Sequence, residues 1–202
     1  MCLGIHGQSR LWNITMIAEA FLVSTALVAV GEIGDKTQLL SFALAQRYRA
    51  PWLILSGVLL ATLLNHGLSA WLGSYLAGLV DPFWLTLLLG GSFILLGLWM
   101  LIPDKEEDID NRRSWGPFAA AFVLFFLAEI GDKTQIATVA LAARFPEDFL
   151  AVVTGSTLGM MLANIPVIWL GARLTSPRVE VWAHRISAAL FILFGVLTLT
   201  AL

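Results

Sequence analysis

Long apolar runs separated by short polar interruptions set the plan of this chain. A helix that crosses the hydrocarbon core of a bilayer needs roughly 20 apolar residues. Six stretches meet that length: Ile14–Gln46, Trp52–Leu79, Phe83–Ile102, Trp115–Ala143, Phe149–Leu174 and Val181–Leu202. Prolines punctuate them. Pro51 precedes the second, Asp81-Pro82 parts the second from the third, Pro103 stops the third, and Ser176-Pro177 follows the fifth. Proline has no N–H to give a preceding turn, so it opens or closes helices. One strongly polar loop, Asp104 to Arg113, divides the runs into two groups. The pattern predicts an all-α integral membrane protein of six transmembrane helices. Residues 14–102 form a first three-helix unit, 103–114 an acidic linker and 115–202 a second unit. Residues 1–13 read as an unstructured polar stub, or as an upstream start with Met16 as the alternative first residue.

Composition agrees with lipid as the solvent. The chain is 58% hydrophobic and 13% charged, where a soluble domain carries roughly 25% charge. Its mean hydropathy is +0.84. A net charge of −2 with no basic patch gives no footing for nucleic acid. The single cysteine, Cys2, excludes an intrachain disulfide.

The two groups repeat one another. Glu32-Ile33-Gly34-Asp35-Lys36-Thr37-Gln38 recurs unchanged as Glu129-Ile130-Gly131-Asp132-Lys133-Thr134-Gln135, at an offset of 97 residues. Ala43-Leu44-Ala45 matches Ala140-Leu141-Ala142 at the same offset. After one insertion the offset becomes 98, where Trp71-Leu72-Gly73 matches Trp169-Leu170-Gly171 and Phe93–Gly97 matches Phe191–Gly195. A duplicated unit with an odd number of spans enters the membrane from opposite sides, which predicts two inverted three-helix repeats with a site at their interface. Basic residues set the orientation. Arg47, Arg49, Lys105, Arg112, Arg113, Arg173, Arg178 and Arg185 fall on one side, against Arg10 and Arg144 on the other. The linker is therefore expected in the cytoplasm and both termini outside. Trp12, Trp52, Trp84, Trp115 and Trp182 fall near helix ends, as interfacial anchors do.

The repeated heptapeptide carries the chemistry, because ionisable groups inside membrane spans are costly and by default functional. Read as continuous helix, Glu32 and Asp35 share a face one turn apart, and Gln38 drifts partly off it; Glu129, Asp132 and Gln135 repeat the arrangement. At about 1.5 Å per residue, Glu32 lies near mid-bilayer. Facing copies would make a cage of four carboxylates flanked by two amide oxygens, a donor set for hard divalent cations. No His-Cys cluster points to zinc or copper. Gly34 and Gly131 serve either close backbone approach or a local break that frees carbonyls. Lys36 and Lys133 follow their glutamates by four residues and can pair with them along the helix. They act in support, partly neutralising the acids and moving when a metal arrives. Thr37 and Thr134 point away from the acidic face. Four clustered carboxylates cannot all stay ionised, so a divalent cation that joins them drives protons off, which is the coupling an antiporter needs. A purely structural reading, buried Glu–Lys pairs locking helices, leaves the added Asp and Gln on the same face unexplained.

Other polar residues have plainer roles. Glu19 aligns with Gly116 and reads as interfacial. Asn65, His66 and Asn164 suit interhelical hydrogen bonds, and His66 aligns with Asn164. The acidic loop reads as a solvated linker. No HExxH motif and no nucleophile–base pair supports an enzyme, no cofactor is implied beyond the transported ion, and a four-carboxylate trap does not suit a fast channel.

A doubled Glu-x-Gly-Asp-Lys-Thr/Ser motif in six apolar helices with an acidic central loop resembles a family of cation/proton antiporters. That family includes a bacterial manganese exporter and Golgi and chloroplast proteins associated with Mn²⁺ and Ca²⁺. The resemblance covers the chain from Met16 onward. It implies Glu32, Asp35, Glu129 and Asp132 as cation ligands, protons as counter-ion and a bacterial inner membrane. It favours Mn²⁺ as cargo, with a Ca²⁺/H⁺ exchanger of the same build as the alternative.

Overall fold

A computed structural model describes residues 5–102, 115–170 and 177–200, with side chains from Thr15 onward and, in the last helix, from Val181 onward. The linker 103–114, on which much of the orientation reading falls, lies outside the described residues, as does Arg173. So do the side chains of Arg10, Trp12 and Arg178.

Among the described residues the fold is helical throughout, without a strand. Its α-helices are α1 (Ile5–Gly31), α2 (Lys36–Tyr48), α3 (Pro51–Ala77), α4 (Pro82–Trp99), α5 (Pro117–Glu129), α6 (Lys133–Arg144), α7 (Phe149–Leu170) and α8 (Pro177–Leu199); a short 3-10 turn, Pro146–Asp148, leads into α7. Proline occupies the first turn of α3, α4 and α5, where its missing N–H leaves no bond unmade. Asp81 caps α4 by accepting from the Phe83 N–H at 3.0 Å. Helix α1 begins at Ile5, well ahead of the expected start at Ile14, so the backbone of residues 5–13 is helical rather than an unstructured stub.

Four helices are long and apolar enough to cross a membrane, or five if α1 and α2, bent by 71°, count as one broken span. The expected first and fourth spans are each interrupted at the heptapeptide. Helix α5, with 13 residues, is too short to span alone.

The two units interlock. Helix α3 packs on α5 and α6, as α7 packs on α1 and α2, while α3 meets α7 and α4 meets α8. Aligned positions meet aligned neighbours. A Cβ on Gly57 would lie 2.6 Å from the Phe118 carbonyl oxygen, and one on Gly155 would lie 2.5 Å from that of Phe21. Gly97 presses on the Ala188 carbonyl as Gly195 presses on that of Gly90. Only glycine allows such close approach, which drives helix association where no hydrophobic effect operates. One apolar core gathers Phe93, Met100, Leu141, Val152 and Phe191, and a second gathers Leu44, Ile54, Val58 and Phe125. The outside is apolar as well: Trp71, Leu88, Leu95, Leu127, Leu150 and Leu170 are among many exposed large side chains. Trp52, Trp84 and Trp182 are exposed near helix starts.

Candidate cation site

The heptapeptide is not continuous helix. In both copies it ends one helix and begins the next, and the two copies share one conformation. Gly34 has φ 83° and Gly131 φ 77°, left-handed values that stop α1 and α5. Asp35 (φ −80°, ψ 164°) and Asp132 (φ −76°, ψ 163°) then take extended backbone as the N-cap residues of α2 and α6. Of the two uses open to these glycines, the structure takes the break.

The break changes which side chains meet. The Thr37 hydroxyl donates to Glu32 Oε2 at 2.6 Å; that of Thr134 donates to Glu129 Oε2 at 3.2 Å and Asp132 Oδ2 at 3.3 Å. A continuous helical wheel turns these threonines away from the acids; the break brings them back. The Gln38 Oε1 accepts from the Gly34 N–H at 2.9 Å, and Gln135 Oε1 from that of Gly131 at 2.6 Å. The glutamines thus brace the break with the oxygens that were expected to face a cation. Gln38 Nε2 also donates to the Ala163 carbonyl of α7 at 2.9 Å.

One carboxylate oxygen from each of Glu32, Glu129 and Asp132 lies within 4.8 Å of the other two. Their side chains are buried, the two glutamates completely. Asp35 is also buried but stands outside this group of three. Glu129 Oε1 accepts no hydrogen bond among the described residues. Two ionised carboxylates at such a separation repel by about 3 kcal/mol at an effective dielectric of about 20. A bound divalent cation would reverse the sign of that interaction. Glu129 ends α5 and Glu32 directly follows the last residue of α1, so both carboxylates sit at negative dipole ends.

The lysines differ. Lys36 reaches across to the other copy, its Nζ 3.4 Å from Asp132 Oδ1. Lys133 Nζ donates to the Ile102 carbonyl at 2.8 Å and lies 6.0 Å from the centre of the Trp99 ring.

Helix breaks leave carbonyls without intrahelical partners, and polar residues of other helices take some of them. Asn65 Nδ2 donates to the Phe126 carbonyl at 3.1 Å, and Ser187 Oγ to that of Val30 at 2.7 Å. His66 Nδ1 meets Ser156 Oγ at 2.9 Å, and Ser41 Oγ donates to Asn164 Oδ1 at 2.6 Å. Asn65, His66 and Asn164 therefore make the interhelical bonds expected of them. Ser187 was missed; its one signal is a small polar residue on a buried face of α8. Glu19 is exposed on α1.

A profile of the divalent cation/proton antiporter family GDT1 matches residues 20–108 and 117–201, which takes in both copies of the heptapeptide. The chain belongs to the GDT1 family of divalent cation/proton antiporters. A relative in Vibrio cholerae, described as "Putative manganese exporter", is 45% identical over 183 residues, covering 90% of this chain and 91% of its own length. The rice "GDT1-like protein 5" is 30% identical, covering 88% of this chain and 93% of its own length. The Arabidopsis thaliana "GDT1-like protein 5" is 28% identical, covering 91% of this chain and 96% of itself. No solved structure matches. As a GDT1 member the chain is a membrane transporter and not an enzyme, and it moves divalent cations against protons.

Proposed function

We propose that the protein exports Mn²⁺ from the cytoplasm in exchange for protons, holding the ion between its two heptapeptides. Glu32, Glu129 and Asp132 supply the ligands, and Asp35 joins or succeeds them as the site changes shape. Gly34 and Gly131 shape the break, Thr37 and Thr134 orient the carboxylates, and Gln38 and Gln135 brace the loops. The observation that carries this reading is the meeting of three buried carboxylates, contributed by both copies, within 4.8 Å. Protons replace the ion because the acids repel one another when ionised together.

The mirrored packing of α3 and α7, and of Gly57 with Gly155, supports two inverted repeats. In that arrangement α1–α2 and α5–α6 each count as one broken span, which makes six in all. Rocking of one repeat against the other exposes the site to each side in turn. The linker faces the cytoplasm and both termini the outside of a bacterial inner membrane. An all-oxygen donor set also suits Ca²⁺, and the relative named as a manganese exporter favours Mn²⁺.

Transport into proteoliposomes under a proton gradient tests the reading. E32Q, E129Q and D132N should each lose at least about tenfold in Mn²⁺ flux while keeping a wild-type elution profile, and D35N should lose flux as well. Near-normal flux in all four would end the assignment. Ca²⁺ uptake exceeding Mn²⁺ uptake at equal concentration would transfer it to a Ca²⁺/H⁺ exchanger.

A further inference from the structure

We propose that His66 carries protons between the carboxylate cluster and the membrane face on which α1 begins, along a line of buried hydroxyls that only one of two matching helix crossings possesses. The proposal rests on the cation site described above.

Ser24 Oγ on α1, Thr62 Oγ1 and His66 Nε2 on α3 and Thr157 Oγ1 on α7 are buried and have no hydrogen-bond partner among the described residues. Buried polar atoms are as a rule paired, and a bilayer offers no water to those that are not. Several such atoms in one region mark a polar route. Thr62 and His66 lie one turn apart on one face of α3. His66 Nδ1 meets Ser156, the neighbour of Thr157. Gly155 and Gly159 of α7 press on the Phe21 and Thr25 carbonyls of α1, on either side of Ser24. The route also points at the site. Ser24 stands two turns before Glu32, about 12 Å at 1.5 Å per residue. Asn65, the residue before His66, holds the Phe126 carbonyl, one turn before Glu129. The matching crossing of the other half lacks this line. Under the repeat offsets Ser24 corresponds to Ala121, Thr62 to Met160, Ser156 to Val58 and Thr157 to Leu59. His66 corresponds to Asn164, whose amide is filled: its Oδ1 accepts from Ser41 at 2.6 Å and its Nδ2 donates to the Met160 carbonyl at 3.1 Å.

The hydrogen bonds also fix which nitrogen is open. Ser156 Oγ donates to the Val153 carbonyl at 3.2 Å, and a hydroxyl has one proton to give. His66 therefore donates from Nδ1, and Nε2 keeps its lone pair. A proton taken at Nε2 makes the imidazolium. Its loss to a carboxylate, directly or through a hydroxyl, restores the neutral ring, so His66 is unchanged over a cycle. Few groups compete for that proton. Helix α7 has no titratable side chain. Helix α5 brings only Glu129, α6 only Lys133 and Arg144, α2 only Lys36, Arg47 and Tyr48, and the 3-10 turn Glu147 and Asp148. Among the described side chains of α1 the one titratable group is Glu19, which is exposed. Glu129 is the acid on the element that α3 holds beside His66.

Mn²⁺ flux into proteoliposomes as a function of pH, set beside calorimetric Mn²⁺ titration of the full-length protein in detergent, separates a proton relay from a packing role. T62V and S24A remove hydroxyls that have no partner to lose. They should melt at or above the wild-type temperature and still slow the flux. H66N and H66Q should bind Mn²⁺ with near wild-type affinity, lose about tenfold or more in flux, and flatten its dependence on pH. H66E, which keeps an exchangeable proton, should recover part of the flux with a shifted pH profile. Wild-type flux and pH profile in H66N, H66Q, T62V and S24A would overturn the proposal, and so would a loss of flux that only follows a loss of Mn²⁺ affinity. If the His66 variants do not fold, T62V and S24A decide it. Mn²⁺ binding that survives both E129Q and D132N would instead sink the cation site, whatever the His66 variants do.

Discussion

At Gly131 a Cβ would meet no heavy atom within 4 Å, so a G131A substitution isolates the backbone term. With φ at 77°, an alanine there costs about 1–2 kcal/mol. The melting temperature should fall by roughly 2–8 °C, and G131N should lose less, because asparagine tolerates the left-handed region. Equal melting of G131A and wild type would refute the break as a conformational requirement. Thr37 tests the other half of the local design. Its hydroxyl lies 2.6 Å from Glu32 Oε2 in a buried site, so T37V leaves a carboxylate oxygen short of a donor at a cost of about 1–3 kcal/mol. Lost Mn²⁺ affinity in T37V that returns in T37S would identify the hydrogen bond; loss in both would point to packing.

On the level of elements, the same heptapeptide makes the same broken helix twice because its own side chains complete the break. Glutamine oxygens take the glycine amides, and the aspartates begin the second helices. Neighbouring helices then hold the broken ends. Asn65 of α3 holds the Phe126 carbonyl near the end of α5. N65L should cost about 0.6–1.7 kcal/mol, the range for hydrogen bonds between membrane helices, measured as a drop in melting temperature. The glycine contacts are less forgiving. A side chain at Gly57 or Gly155 would collide with backbone rather than with a movable tip. G57V and G155V should therefore damage folding to a similar degree, read as loss of the monodisperse peak on size exclusion. A large effect in one and none in the other would contradict the equivalence of the two crossings.

For the whole molecule, the relation between the repeats decides function, since the three clustered acids come from both. The excess of basic residues on one side carries the proposal that the linker is cytoplasmic. A Glu107→Cys substitution on a Cys2→Ser background should then react with a membrane-impermeant maleimide in inside-out vesicles and not in intact cells. The reverse pattern would overturn the orientation. Exchange also requires that cation binding expel protons. Adding Mn²⁺ to weakly buffered protein should acidify the solution, and D132N should reduce that release.

Much of this was legible in the chain itself. The apolar runs, the 97-residue repeat and the oxygen-only chemistry of the heptapeptide are local properties, written in residue type and spacing. They point to an all-helical membrane protein and to the family. The sequence could not choose between helix and break at Glu32–Asp35, because a glycine among good helix formers permits both. The choice follows from what surrounds it: the bracing glutamines, the carbonyls taken by Asn65 and Ser187, and the crossings at Gly57 and Gly155. Once the helix breaks, the wheel that turned Thr37 and Thr134 away from the acids no longer applies. Which acids share a cluster depends on neighbours distant in the chain. Trp99 beside one lysine and Leu197 at the aligned position are invisible to a motif that is identical in both copies. Residue types determined the chemistry on offer, and tertiary packing decided which groups could reach one another, because an electrostatic interaction acts through distance and not through order along the chain.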